Sequence, residues 1–132
     1  MRRTCTAMLA VLLLAAGCAS SATADGEVAA VEACDEYATF VRANLAKESD
    51  TSVILDRAIA RATAAAAADQ AYAELASDMT SRRQVAEDLT AALAGDAAQP
   101  EAIGAVIDLM SDTNVAVSVA CADLGITVDV IG

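Results

Sequence analysis

The chain has 132 residues with 8 basic and 19 acidic side chains, a net charge of −11, and no histidine. This much negative charge repels nucleic-acid phosphates, whose binding rests on Lys and Arg, and the missing imidazole removes the commonest general base and metal ligand. Hydrophobic residues make up 57% of the chain but aromatics only 2%; alanine, the strongest helix former, supplies much of the remainder, so composition points to one all-helical domain of small-residue helices.

The N-terminus has the three zones of a secretory signal. Arg2 and Arg3 are basic, Met8 to Ala16 is an apolar run too short to span a bilayer comfortably, and the small residues Ala16 and Gly17 precede Cys18. The segment Leu14-Ala15-Ala16-Gly17-Cys18 resembles a lipobox, the cleavage motif of bacterial lipoprotein signal peptides. The resemblance implies a diacylglycerol on the Cys18 thiol, with acyl chains such as palmitate, and cleavage just before Cys18. It places the protein on the cell membrane, facing out of the cytoplasm. The family more often has Leu three residues before the cysteine, where this chain has Ala15. The alternative is an ordinary signal cut after Ala24, which would discard Cys18. Such a signal has no evident use for a cysteine closing its apolar run.

Cleavage before Cys18 leaves 115 residues carrying 6 basic and 19 acidic groups, a net −13. Anionic lipids would repel that domain, so a covalent anchor would have to hold it. Residues 18–26 are small and polar and read as a flexible tether. The eight residues after Cys18 reach at most roughly 26–29 Å. Residues 27–132 then form the folded domain.

Four cysteines occur. Cys5 leaves with the signal and Cys18 takes lipid, so Cys34 and Cys121 remain, and an even remainder in an exported protein argues for a disulfide. With no histidine and no CxxC, no metal site, cofactor or redox motif is expected.

The first helix is expected over about 27–47, with Val31, Cys34, Ala38, Val41 and Leu45 at three- and four-residue steps and Tyr37 and Phe40 widening the face. Ser49 and Asp50 can cap the next helix, which carries Leu55, Ile59, Ala62 and Ala66. Tyr72, Leu75, Met79, Ala86, Leu89 and Leu93 continue the apolar positions to Gly95. Pro100 suits the first turn of a last helix; Ile103, Ile107, Met110, Val117, Cys121 and Leu124 lie along it, and Gly125 ends it.

No proline or glycine interrupts residues 51–94, so propensity alone permits one helix there. In a three-helix up-down bundle Cys34 and Cys121 would lie at opposite poles; with four helices they share one, where a bridge can form. A break near Asp69 follows, and the expected fold is an all-α, up-down four-helix bundle closed by one disulfide. Ile126 to Val130 alternates and is expected as an extended tail on the bundle.

Catalytic motifs are missing: no Ser-His-Asp set, GxSxG, Walker A loop or GxGxxG occurs. Glu32, Asp35 and Glu36, and Asp108 with Asp112, lack EF-hand spacing and read as solvated faces. Asp78–Arg82 and Arg83–Glu87 are i,i+4 pairs that read as helix-surface ion pairs. Ser111 to Asn114 is a polar interruption of the last helix, read as an exposed turn. The layout as a whole is similar to small alanine-rich lipoproteins of high-GC Gram-positive bacteria. The expected function is a non-enzymatic envelope module contacting another protein, with a carrier of a small apolar ligand as the alternative. A cavity lined by Tyr37, Phe40 or Met110 would favour the carrier, and an exposed apolar patch would favour the partner.

Overall fold

The computed structural model describes the backbone of residues 4–95 and 99–130, with side chains from residue 23 onward. Among the described residues the chain forms four α-helices and a short 3₁₀ turn: α1 Thr4–Leu45, α2 Thr51–Ala68, the turn Gln70–Tyr72, α3 Ala73–Ala94 and α4 Pro100–Asp123. They make the up-down four-helix bundle expected from the two cysteines. Cys34 and Cys121 are bonded, with Cα atoms 5.5 Å apart. The lipobox residues, Cys18 and Cys5 lie outside the side chains described.

Local chemistry sets the helix ends. Asp69 breaks the long polyalanine stretch as expected. Its backbone is extended (φ −146°), its N–H caps Ala65 O, and its carboxylate accepts from the N–H of Ala71 at 2.9 Å. Asp69→Ala is expected to cost about 1 kcal/mol, the usual worth of such a cap, read as a lower urea midpoint at unchanged slope. Pro100 occupies the first turn of α4. Gly125, at φ +80°, closes α4: its N–H bonds Ala122 O and the N–H of Ile126 bonds Cys121 O. That pair of bonds is a Schellman stop, which a residue with a Cβ adopts only under strain. At the other end of α2, Asp50 stands at the N-cap position, but its backbone is left-handed (φ 60°) and its side chain makes no cap bond.

The core is small. Cys34, Tyr37, Ala38, Phe40 and Val41 of α1 face Leu55, Ala58, Ala62 and Ala65 of α2, and Leu75, Met79, Val117, Cys121 and Val128 complete it. Alanines on facing helices let the backbones approach closely, and Gly26 shows how closely. A Cβ there would stand 3.1 Å from Asp69 Cβ and 3.4 Å from Ala65 O. The residues expected to end a flexible tether, Thr23 to Gly26, are therefore helical, and Gly26 is buried against the end of α2. The first packed turn begins before the expected boundary at Glu27 because glycine lets α1 sit on α2. The tail after α4 is extended, with Ile126, Val128 and Val130 turned to the core and Thr127 and Asp129 exposed.

Packing follows chain order: α1 lies along α2, α2 along α3 and α3 along α4. The fourth edge is different. Among the described residues α1 and α4 are joined by the disulfide and by the Tyr37–Asn114 hydrogen bond, and their backbones approach far less than those of the other neighbouring pairs. Two departures from expectation accompany it. Of the apolar face expected on α4, only Val117 and Cys121 are buried; Ile103 and Met110 are half-buried and Ile107 is exposed. Leu45, the last residue of α1, is also exposed. By length and composition α4 could cross a membrane, but Cys121 and Asn114 tie it to α1 and α3.

Candidate interaction site

Two polar arrangements stand out, one inside the bundle and one on its surface. The inner one centres on Arg82, which is only 3% exposed. It makes no ion pair with Asp78, as the i,i+4 spacing had suggested. Its Nε donates to Asn114 Oδ1 at 2.8 Å, and the Tyr37 hydroxyl donates to the same oxygen at 2.6 Å. The guanidinium carbon lies 5.3 Å from the centre of the Phe40 ring, a cation–π contact. Phe40 in turn meets Tyr37, ring centres 5.6 Å apart. Burial pushes the Tyr37 hydroxyl up to about 12, against an opposing pull from Arg82, so it remains a donor at neutral pH. Burial lowers the Arg82 pKa, with Tyr37 opposing.

Asn114 belongs to the segment expected as an exposed turn. Instead α4 runs through Ser111 to Asn114 without interruption, and Asn114 points inward. Both residues were missed for one reason. Arg82 falls three residues after Met79 and four before Ala86, and Asn114 four after Met110 and three before Val117, so each occupies a position on its helix's core face. That spacing was a usable signal, but a local ion pair and a local turn were the simpler readings. The other expected pair does form: Arg83 bonds Glu87 at 3.0 Å and also approaches Asp56 at 3.4 Å. The acidic group on α1 is held by arginines of α2, Glu36 by Arg57 at 3.2 Å and Glu32 by Arg61. Asp108 and Asp112 are exposed. Among the described residues no group of three acidic or cysteine side chains is arranged to hold a metal.

The surface arrangement is an open groove of about 510 Å³ where the 3₁₀ turn and the first half of α3 meet the second half of α4. Leu75, Ala116, Val119, Ala120 and Leu124 provide its apolar floor, and Glu74, Asp78, Asp123 and Tyr72 its polar rim. Val119 is 59% exposed there, well above what a core-facing valine shows. Partial burial raises the Asp78 pKa, with the charge of Glu74 adding to it. None of the three rim carboxylates has an ion-pair partner among the described residues, in contrast to Glu32 and Glu36. The groove is not lined by Tyr37, Phe40 or Met110.

No protein-family model matches the chain, and neither the characterised proteins nor the solved structures contain a match to it.

Proposed function

We propose that the protein is a non-enzymatic interaction module of the cell envelope, held on the membrane by lipid on Cys18, whose groove takes a basic, partly apolar segment of another envelope protein. The observation that carries this reading is the groove itself, where an apolar floor open at Val119 is rimmed by three carboxylates with no ion-pair partner among the described residues. Apolar floors gain from any hydrophobic occupant, and the rim selects one bearing Lys or Arg. Nucleic acid remains an unsuitable partner for so acidic a surface.

A photo-crosslinking amino acid at Val119 tests the reading in intact cells, with the same group at Thr63, exposed on α2, as the control. Val119 is expected to give a discrete adduct that Thr63 does not, and Asp78→Lys should abolish it. Equal labelling from both positions would remove the groove from consideration. Cys18→Ala is expected to release the protein from the membrane fraction and end lipid labelling; retention with unchanged labelling would refute the anchor.

A carrier of a small apolar ligand is the second reading. It is favoured by one observation of its own, the buried cation Arg82 beside the loosely joined α1–α4 edge.

A further inference from the structure

We infer that the edge between α1 and α4 binds an alkyl carboxylate, its carboxylate held by Arg82 and its chain running along α4 toward the start of that helix. This deepens the carrier reading by naming the ligand class, and is independent of the groove.

The head-group half of the argument rests on charge. Arg82 is buried, and its Nη1 has no hydrogen-bond partner. Every group recorded against it is neutral: the Asn114 amide, the Phe40 ring and the Tyr37 hydroxyl. The acids that could have served are elsewhere, Asp78 on the groove and Asp56 and Glu87 on Arg83. A buried ion without a counter-charge is costly, and a guanidinium's fork of donors fits a carboxylate better than any other common group.

The chain half rests on the uncovered face. From Asn114 toward the start of α4, Met110, Ile107, Val106 and Ile103 follow at core-facing spacing, yet all are half-buried or exposed, on the edge of the bundle where the backbones of α1 and α4 approach least. Eleven residues at about 1.5 Å rise make this face roughly 16 Å long, enough to lay out an alkyl chain. The site therefore asks for two things, a negative group at the buried Nη1 and an apolar cover for this face. An anionic head with an apolar tail satisfies both. Arg82 is covered, so entry requires the first half of α4 to move from α1, the edge with the least packing to break.

The test titrates the full chain, held in amphipol without added lipid, with myristate carrying ¹³C at its carboxyl carbon. A bound resonance distinct from free and amphipol-partitioned myristate is expected, and it should stay ionised below the ordinary carboxylate titration range. Tetradecanol should not compete. Arg82→Gln should weaken binding at least about tenfold. Asn114→Asp gives Arg82 a carboxylate of its own without changing the shape of the side chain, and should weaken binding as much while the helices and disulfide persist. Absence of a bound resonance in the native protein, or undiminished binding by a folded Asn114→Asp variant, would overturn the inference. Binding that fails here while Val119 still crosslinks leaves the protein-partner reading standing, so the two fail separately.

Discussion

Replacing Cys34 and Cys121 together by alanine is expected to lower the melting temperature on the order of 20 °C. The bond joins residues 87 apart. Closing a loop of that length removes chain entropy from the unfolded state worth up to about 4–5 kcal/mol, and each kcal/mol moves the midpoint of a domain this size by roughly 4–8 °C. The core gives little in reserve. Alanine supplies much of it, and buried alanines remove little apolar surface from water. The bond also carries a local load, because the backbones of α1 and α4 approach least of the neighbouring helix pairs, with the Tyr37–Asn114 hydrogen bond beside it. Two consequences should therefore separate in experiment. Thermal melts of the double variant report the entropic loss. Hydrogen exchange should show α4 opening first, ahead of the α1–α2 pair, whose facing alanines pack without help from the bond. A loss below about 1 kcal/mol would mean that residual structure already holds the two ends together in the unfolded chain.

The cysteines were also what made the topology legible. Periodicity alone left residues 51–94 as one helix or two; pairing Cys34 with Cys121 required an even number of helices and put the break where Asp69 could cap. Caps and stops were readable because they depend on residues with special backbone chemistry, as at Pro100 and Gly125. The buried faces were less legible. On α2 Leu55 and Ala62 are buried as expected, but Ala58 and Ala65 are buried where Ile59 and Ala66 were expected, because in an alanine-rich helix neighbouring faces have similar hydrophobicity and close approach to α1 decides between them. On α4 one spacing runs through Val117 and Cys121, which are buried, and through Ile103, Ile107 and Met110, which are not; periodicity cannot say how far along the helix its neighbours cover that face. The groove was not readable at all: Glu74, Asp78 and Asp123 come from two helices, and only the α3–α4 packing brings them to one rim.

The knot around Asn114 should separate two substitutions that look equally disruptive in sequence. Asn114→Ala deletes the acceptor shared by the Tyr37 hydroxyl and Arg82 Nε. It leaves a buried hydroxyl and a buried cation with only each other as polar partners, at a cost on the order of 3–5 kcal/mol. Arg82→Met keeps the Tyr37–Asn114 bond, fills similar volume and removes the unbonded Nη1. Its loss of the cation–π contact, about 2 kcal/mol, is offset by relief of a buried charge, so stability should be unchanged or higher by about 1–4 kcal/mol. Urea unfolding at neutral pH measures both. Alkaline titration supplies a third reading of the same atoms. Tyr37 holds its proton to about 12 when folded against an ordinary value of 10.0, so its contribution is complete below pH 10 and is lost as pH rises toward 12. Tyr37→Phe should flatten that part of the stability curve. If Arg82→Met proves more stable than the native chain, the arginine is not there to hold the bundle together. A cation kept in the core against stability then has its reason in what it binds, which is where the myristate titration and the urea curves meet.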